Sequence, residues 1–326
     1  MITKLSTYIT ENTVPYKNLA MEAFLTFQTE ASECILFLWQ NQQTVVIGKN
    51  QNAWKECKVH QLEQDGGYLA RRLSGGGAVF HDLGNLNFTF CVREEDYDVA
   101  KQTEVILRAV QALGIHAEKT GRNDITADGR KFSGHAFYKS KGFCYHHGTL
   151  LVDVDQSKMA EYLNVSAAKL QSKGVDSVRS RTVNLKELCP SLTLQQLKEQ
   201  LLKAFEEVYG VERSEEISEE RLNWEQIKEA ETHFSSWEWK YGRKIPFDHC
   251  IEQRFSWGNV EIQFHVTGGV VQDVKVYSDA MDENLSESLQ KSWMGCPYGL
   301  EELCAKLECQ KPEIREDISN LLRQQF

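Results

Sequence analysis

The sequence lacks several features by which a chain is usually classified at sight. It has no run of 18 or more apolar residues and no apolar core near its start, so it predicts neither a membrane-spanning helix nor a secretory leader. Its nine cysteines are an odd number and include no C-x-x-C pair, which argues against a disulfide framework and a zinc ribbon. These absences predict a soluble protein of the reducing cytoplasm.

Basic residues are also in deficit. Lys plus Arg number 37 against 47 for Asp plus Glu, which gives a net charge of 37 − 47 = −10. Because nucleic-acid binding needs a basic face, we expect no nucleic acid among the partners, and no membrane. The common nucleotide-binding patterns G-x-x-x-x-G-K-[ST] and G-x-G-x-x-G are missing as well.

Hydrophobic periodicity and turn signals predict a mixture of helices and strands. Residues 34–40 and 44–49 are expected to form a hairpin around a short polar loop, and Asp128-Gly129 predicts a second hairpin within a meander over 115–155. The remaining expected elements are a helix opened by Pro15, helices over 99–113 and 193–210, and three short strands over 252–278. We expect two domains, a large one over 1–245 and a small α+β one over 251–326.

Three consecutive glycines follow two arginines in 71-RRLSGGG-77. Bare backbone of this kind lets an anion or a flat ligand approach closely, and the arginines would supply charge. A flexible hairpin turn explains an isolated glycine triplet equally well. The segment 166–181, basic and without a period inside an acidic chain, is predicted to be a mobile loop.

Several other residues have both a chemical and a structural interpretation. Lys131, just past the Asp128-Gly129 turn, is either a fixed cation for a phosphate or carboxylate or a solvated hairpin lysine. Cys144 with His146 at i+2 is either a nucleophile–base pair or a buried small side chain. Adjacent strand residues point to opposite faces, so only one imidazole of His146-His147 faces any given site. No spacing supplies the ligands of a zinc site.

In combination and order these segments resemble the lipoate–protein ligases. The resemblance rests on 72-RLSGGGAVFHDLGNLNFTF-90, 121-GRNDI-125, 129-GRKFSGHAFY-138, 146-HHGTLLVDVD-155 and 173-KGVDSVRSRTVNL-185. The segments 236-SWEWKYG-242 and 254-RFSWGNVEIQF-264 extend it over nearly the whole chain.

The resemblance implies an α+β fold: a large catalytic domain of the biotin/lipoate-ligase type, with a mixed β-sheet and flanking helices, plus a small α+β C-terminal accessory domain. It also implies an enzyme that activates lipoate with ATP and Mg²⁺ to lipoyl-AMP, releasing pyrophosphate. The lipoyl group then passes to one lysine of an acceptor, either a lipoyl domain of a 2-oxoacid dehydrogenase E2 subunit or the glycine-cleavage H protein. We expect the enzyme to act as a monomer.

The resemblance carries the family's site residues onto matching positions. Lys131 matches the catalytic lysine, and Asp124 is a candidate metal ligand. ATP and the adenylate are expected to contact Arg72, Gly77, Ala78, Val79, Phe80, Asn123, Asp124, Lys131, Lys173, Gly174, Val178 and Arg179. Lipoate is expected to contact Arg71, Ser74, Gly75, Gly76, His81, Lys131, Gly134, His135, His147 and Gly148. Pattern alone suggests Phe80, Phe88, Phe90 and Phe137 as walls of an apolar tunnel.

Three alternatives stay open at the level of sequence. A sister acyltransferase would move octanoyl or lipoyl groups through a cysteine thioester without ATP, and Cys144 is the only cysteine inside a matched motif. A biotin ligase of the same fold would carry different long motifs. A non-catalytic lipoate-binding protein would be expected to lose Lys131 or the basic loop 166–181, and both are present.

Overall fold

The computed structural model describes residues 1–121, 123–164, 182–242 and 245–325. Its largest element is an eight-stranded mixed sheet in the order β11-β1-β2-β6-β10-β9-β8-β7. The strands of this sheet are β1 (Lys4–Ile9), β2 (Glu33–Trp39), β6 (Asn85–Arg93), β7 (Glu118–Thr120), β8 (Asp124–Ala127), β9 (Arg130–Ser140), β10 (Phe143–Leu151) and β11 (Glu215–Glu216). β1 runs parallel to β2 and β11, and every other pair is antiparallel.

Helices cover both faces of this sheet. On one face α4 (Val99–Gln111) and α7 (Leu194–Tyr209) pack over the even-numbered residues of β6, and on the other face α1 (Pro15–Phe27) and α8 (Trp224–Ser235) pack over the odd-numbered ones. The connecting segments contain the short helices α2 (Ala53–Glu56), α3 (Val59–Gln64), α5 (Gln156–Tyr162), α6 (Leu185–Leu188) and α9 (Trp237–Tyr241), with 3₁₀ turns at Glu94–Asp96 and Glu219–Arg221.

A second, three-stranded sheet lies beside the first. It consists of β3 (Thr44–Ile47) between β4 (Tyr68–Arg71) and β5 (Val79–His81), in the order β4-β3-β5. The glycine triplet connects β4 to β5, so the small sheet carries the glycine segment at its end. Between the two sheets lies the cavity described below.

The C-terminal part forms its own hydrophobic core, made only of residues from 251–322. Its antiparallel sheet consists of β12 (His249–Phe255), β13 (Gly258–Thr267) and β14 (Val270–Ser278), and helices α10 (Leu285–Trp293), α11 (Leu300–Ala305) and α12 (Pro312–Arg323) follow. The predicted α+β class, a large mixed sheet with flanking helices plus a small α+β part, is confirmed. The predicted domain boundaries at 245 and 251 stay a proposal.

Several local predictions are confirmed for physical reasons that the sequence contains. Asp128 and Gly129 both adopt positive φ, at 50° and 71°, and join β8 to β9 in an antiparallel hairpin. Thr193 caps α7 in a reciprocal arrangement with Gln196, and Gly210 ends that helix in the left-handed conformation. Pro15 occupies the first turn of α1.

The predicted hairpin of residues 34–40 and 44–49 is wrong. β2 pairs with β1 and β6 in the large sheet, whereas β3 pairs with β4 and β5 in the small one. All seven residues of β2 are buried, as expected of a central strand covered on both faces. The loop 41–43 therefore connects two sheets. Within the described ranges, no helix is both long and apolar enough to cross a membrane.

Candidate functional site

A cavity of about 240 Å³ lies between the large sheet, the small sheet and helix α1. Polar groups concentrate in it beside apolar walls. Its lining residues are Leu19, Trp39, Val46, Arg72, Gly76, Gly77, Ala78, Val79, Phe80, His81, Asn87, Asn123, Asp124, Lys131, Gly134, His135, Ala136, His147, Gly148, Thr149, Leu151, Met159, Leu163, Thr182 and Met281. Most of the predicted site residues thus meet in one place, although they come from the glycine loop and from four strands of two sheets, β5, β8, β9 and β10.

Two glycines of the triplet, Gly75 and Gly76, are required by the local geometry. A Cβ atom on Gly75 would lie 2.6 Å from the carbonyl oxygens of Ala280 and Met281, and Gly76 has a φ of 89°. The carbonyl oxygen of Gly76 would lie only 2.2 Å from a Cβ atom on Gly48. The triplet is therefore a fixed loop packed against backbone, and the flexible-turn interpretation is wrong.

Arg72 holds this loop from inside. Its guanidinium donates to the carbonyl oxygens of Gly75 and Gly77, at 2.7 and 2.8 Å from Nη2, and to that of Val46. Nε donates to the Ser74 hydroxyl at 3.0 Å. Burial lowers the pKa of Arg72 to about 10, which still leaves the group charged at neutral pH. The cavity wall therefore contains a fixed positive charge next to the glycines.

Lys131 and Asp124 form an ion pair inside the cavity. Nζ of Lys131 lies 2.7 Å from Oδ1 of Asp124, and the two side chains are 26% and 22% exposed. The ammonium group lies over Gly134, where a Cβ atom would come within 2.6 Å of Nζ, so a side chain at 134 would displace the ammonium from this position. The Asn123 carbonyl accepts from the His135 amide at 2.8 Å, which fixes the chain just before Asp124. The cationic end of the cavity is thus set by the β8–β9 hairpin.

A chain of buried hydrogen bonds lies at the opposite wall. His147 contacts the Ser74 hydroxyl through Nε2 and Glu22 through Nδ1, each at 2.8 Å. Glu22 Oε1 also accepts from the hydroxyl of Thr89 at 2.7 Å, and that hydroxyl accepts from Nε1 of Trp39. His147 pairs with Ala136 in the sheet, two residues along β9 from Gly134, or ~7 Å at the usual strand rise. The His147 imidazole and the Lys131 ammonium therefore face the same cavity from positions that are separated along the strands.

His81 supplies an unused donor. Asn41 accepts from Asn18 through its carbonyl oxygen, so its amide nitrogen donates to Nδ1 of His81 at 3.2 Å. Nε2 of His81 must then carry the proton, and it has no partner among the described residues. Burial lowers the pKa of His81 to about 3, so the ring is neutral.

Other predicted residues lie next to the cavity or on the opposite face of the sheet. Ser74 and Gly75 support the lining without forming it. His146 points away from the cavity: its Nε2 lies 2.8 Å from Nδ1 of His135, and its Nδ1 lies 3.1 Å from Gln102. Burial lowers the pKa of His135 to about 3 and that of His146 well below its ordinary value.

Arg71 does not line the cavity, and its assignment to lipoate is corrected. Arg71 is 5% exposed, and its guanidinium donates to main-chain carbonyls of the segments 48–51 and 239–240. The reason is strand alternation, since Arg71 ends β4 and its neighbour Arg72 takes the side that faces the glycines. Lys173, Gly174, Val178 and Arg179, with the segment 166–181, lie outside the described residues.

Three of the four suggested tunnel phenylalanines are also corrected. Phe80 lines the cavity, but Phe88 and Phe90 belong to the core under α4 and α7, and Phe137 contacts His146 on that same face. The cavity lies on the other face of β6, where the odd-numbered Asn87 points. The register of β6 decides which of its side chains face the cavity. A strand that is covered on both faces is apolar on both, so its sequence pattern does not reveal that register.

Sequence reasoning missed several residues at the site. Glu22 does not line the cavity but holds His147, and it is a charged residue set among the apolar helical positions of α1, a signal that was available. Trp39 and Leu19 read as ordinary core residues. Met281 comes from the C-terminal part, and its sulfur lies 3.9 Å from Nδ2 of Asn123. Nothing in the local sequence points to that contact.

The described lining of the cavity contains no cysteine and a single carboxylate, that of Asp124. Cys144 is buried in the core on the opposite face, where burial raises its thiol pKa to about 11. Within the described ranges, no three His, Cys, Asp or Glu side chains come together as a metal cage. Asp124 alone offers a carboxylate beside the cationic end.

Comparisons with known proteins agree with this geometry. Residues 14–206 match the model of the lipoyl protein ligase A/B catalytic domain, and residues 244–326 match that of the bacterial lipoate protein ligase C-terminus.

Among solved structures, P. falciparum LipL1 in complex with lipoate is 28% identical, with a TM-score of 0.86 and coverage of 99% of both chains. A bipartite lipoate protein ligase from Thermoplasma acidophilum is 26% identical over 75% of this chain and 99% of that chain, with a TM-score of 0.65. Lipoate-protein ligase A bound with ATP is 25% identical over 74% of this chain and 99% of that one, with a TM-score of 0.64. The motif-based resemblance is thereby confirmed, and the chain belongs to the lipoyl protein ligase A/B family of enzymes, with the C-terminal part of the bacterial lipoate protein ligases.

Proposed function

We propose that this enzyme is an ATP-dependent lipoate–protein ligase that forms lipoyl-AMP and then transfers the lipoyl group to a lysine of an acceptor domain. The observation that carries the proposal is the single cavity in which the Lys131–Asp124 pair, the glycine loop and an apolar wall meet. Relatives with lipoate and with ATP bound support it.

Lys131 is proposed as the catalytic residue of the adenylation step. Attack of a carboxylate on the α-phosphorus brings two anions together, and a fixed ammonium offsets the charge that develops between them. Such a preorganised donor is typically worth ~10²–10³ in rate. Asp124 holds the ammonium in the unliganded enzyme, and Asn123 lies beside it for the α-phosphate.

The glycine loop is proposed as the binding surface for the adenylate. Arg72 orders its carbonyl oxygens, and Gly77 to Phe80 lead from the loop into β5 along the cavity. Bare backbone of this kind approaches phosphate oxygens closely. We propose that Lys173, Gly174, Val178 and Arg179 of the basic segment 166–181 complete this surface, on the strength of the family motif alone.

The lipoyl chain is proposed to lie between Lys131 and the wall formed by Leu19, Trp39 and His147. Apolar surface there suits an aliphatic chain, whose burial contributes about 0.8 kcal/mol per methylene. The Nε2 donor of His81 and the Glu22–His147 pair place polar groups along the same path. Gly134 and Gly148 leave the backbone open to the chain.

Mg²⁺ is proposed to accompany ATP. A magnesium ion commonly uses one or two protein carboxylates and takes its other ligands from phosphates and water, so a site with Asp124 as its protein ligand fits. When bound, the ion would supply charge neutralisation at the phosphates. Asp124 is then shared between that ion and Lys131.

The proposal also covers partners and setting. The acceptors would be lipoyl domains of 2-oxoacid dehydrogenase E2 subunits and the glycine-cleavage H protein; the structure of the Thermoplasma relative is paired with an E2 lipoyl domain.

We propose that the enzyme acts as a monomer in the cytoplasm. The cytoplasmic setting is supported by the nine cysteines, which are all unpaired, as is usual in a reducing compartment. A cysteine-thioester transferase is disfavoured by the absence of any cysteine among the described lining residues.

Intact-mass spectrometry tests the proposal. An apo lipoyl domain is incubated with the enzyme, lipoate and Mg²⁺, with and without ATP. We expect a lipoyl mass shift on the acceptor only when ATP is present. A shift from an acylated donor without ATP would move the assignment to the thioester transferase. Lipoate binding without any transfer would favour the non-catalytic binding protein.

A further inference from the structure

The Arg71 guanidinium is surrounded by main-chain carbonyls from two separate segments. Nη1 donates to the carbonyls of Gly48, Lys49 and Gln51 at 3.1, 2.8 and 2.7 Å. Nε and Nη2 donate to Trp239 at 2.8 Å and to Lys240 at 2.7 Å. One planar group with five N–H donors thus bridges the turn 48–51 and the end of α9, which no other side chain has the geometry to do.

This cation is buried without an ion pair to any carboxylate of the described residues. Arg71 is 5% exposed, and burial lowers its pKa to about 10. Burying a charge is costly unless its hydrogen bonds are satisfied, and here carbonyl dipoles alone satisfy them. Because each of those carbonyls is main chain, the arrangement fixes backbone positions rather than another side chain.

Trp239 also donates a hydrogen bond back to Arg71. Its Nε1 donates to the carbonyl oxygen of Arg71 at 2.8 Å, while its own carbonyl accepts from the Arg71 side chain. The end of β4 and helix α9 are therefore joined by reciprocal hydrogen bonds. The motif 236-SWEWKYG-242 contributes no residue to the proposed catalytic step. Its role here is to join helix α9 to the end of β4.

The turn 48–51 on the other side of Arg71 supports the glycine loop. The Lys49 amide donates to the Ser74 carbonyl at 2.9 Å, and Gly48 packs directly against the Gly76 carbonyl. The same turn contacts the C-terminal part, because Asn50 accepts from the Ser278 amide at 3.0 Å and donates to the Glu283 carbonyl at 2.9 Å. A displacement of this turn would move the wall of the glycine loop.

We propose that Arg71 is a positioning residue that holds the glycine loop in its nucleotide-binding form by clamping the turn 48–51 to helix α9. It acts through backbone and touches no substrate. The assignment of the loop's ligand as a nucleotide rests on the proposed function, whereas the clamp itself is a property of the unliganded chain. Within the described residues, Trp39 at the far wall bonds to Thr89 and not to the loop, and His147 meets the loop only through the Ser74 hydroxyl.

Hydrogen exchange on the unliganded enzyme tests the clamp directly. Arg71→Lys keeps the charge but replaces the planar fork with one ammonium. Trp239→Phe removes the return hydrogen bond and part of the ring contact with His233 and Phe234, and leaves Arg71 in place. Arg93→Lys is the matched control, because that guanidinium also donates to a main-chain carbonyl, of Thr29, at the far end of β6. We expect amides of 48–51 and 74–77 to exchange about ten-fold faster in Arg71→Lys and at an intermediate rate in Trp239→Phe.

Titration calorimetry with ATP and, separately, with lipoate gives the functional readout. For Arg71→Lys we expect ATP affinity to fall about ten-fold and lipoate affinity to change less than about two-fold. The proposal would be overturned if Arg71→Lys kept the wild-type exchange rates and the wild-type affinity for ATP. It would also be overturned if the affinities for ATP and lipoate fell equally and exchange became faster across β6 and β10, because the effect would then be a general loss of stability. If Arg71→Lys does not fold, Trp239→Phe decides by the same criteria. If the wild type binds neither ligand, the proposed function fails while the exchange arm still decides on the clamp.

Discussion

Lys131 Nζ and Asp124 Oδ1 lie 2.7 Å apart, and the β8–β9 hairpin turn that separates them in sequence also brings them together in space. The pair is partly exposed to the cavity, so neither charge is locked in the protein interior. An ammonium that is held but still accessible is available to a second anion. This is the arrangement expected of a cation that exchanges its ion pair with a protein carboxylate for one with a substrate phosphate.

Replacing Lys131 with alanine should abolish adenylation while preserving the fold. The side chain is 26% exposed and contributes its charge rather than packing. We expect pyrophosphate release with lipoate and ATP to fall by at least ~10². Lys139→Ala, which removes an exposed lysine paired with Glu94, is the control and should keep wild-type activity. Normal pyrophosphate release by a well-folded Lys131→Ala enzyme would rule out the proposed catalytic role.

Glu22→Gln should weaken lipoate binding selectively. The glutamate accepts from both His147 and Thr89, and an amide cannot accept both bonds through one atom as strongly as a carboxylate does. We expect the KM for lipoate to rise about ten-fold with little change in the KM for ATP. Glu63→Gln is the matched control, because Glu63 accepts one bond from Tyr241 away from the cavity. An equal rise in both KM values would contradict the assignment of this wall to lipoate.

Gly75→Ala should loosen the contact between the glycine loop and the segment 280–283. The added methyl would lie 2.6 Å from two carbonyl oxygens, which are backbone atoms that cannot rotate away. We expect a loss of about 1–3 kcal/mol in the free energy of unfolding, measured by urea denaturation. Faster exchange of the Gly76 amide, which donates to the Ala280 carbonyl, should accompany it.

Gly299→Ala provides the comparison for this test. Its methyl would meet only the flexible carboxylate of Glu302, so we expect less than about 0.5 kcal/mol of destabilisation. Equal effects of the two substitutions would show that the close approach at Gly75 is not tightly packed.

Local chemistry predicted the parts of the fold that depend on few residues. The Asp128-Gly129 turn and the capped helix α7 follow from residues adjacent in sequence. The assignment of β2 and β3 to different sheets depends on which distant strands they meet, and both runs are apolar. Arg71 and Arg72 show the same limit at the site, since only the twist and end of β4 decide which guanidinium faces the glycines.

The site was predictable where a family motif is continuous. Lys131, His147 and the glycines were all placed in advance, and all lie at or beside the cavity. Glu22, Trp39 and Met281 come from three other segments, and each becomes a site residue only through tertiary packing. A buried carboxylate on an apolar helix face was the one local sign of this.

The free energy of unfolding should decrease as the pH is lowered below about 6.5, because several buried histidines are neutral in the folded enzyme. Burial lowers the pKa of His81 and His135 to about 3, and that of His146 well below its ordinary 6.5. Below pH 6.5 these rings take up protons only in the unfolded chain, so acid favours unfolding, and at higher pH they contribute nothing. Between pH 7.5 and 5.5 each histidine that stays neutral in the folded enzyme should remove on the order of 1 kcal/mol. The ion pair of Glu33 with Arg221, which lowers that carboxyl's pKa to about 2, acts only below about pH 4.5.

Urea unfolding of wild type and His146→Gln at the two pH values isolates one of these histidines. The glutamine can still meet Gln102 and His135 but has no titrating ring. Its drop in unfolding free energy between pH 7.5 and 5.5 should be smaller than that of wild type by on the order of 1 kcal/mol, even if the variant is less stable at both. His60→Gln removes an exposed imidazole and serves as the control. An unchanged drop in His146→Gln would mean that His146 is protonated in the folded enzyme, and that its hydrogen bonds to Gln102 and His135 are not those of a neutral ring.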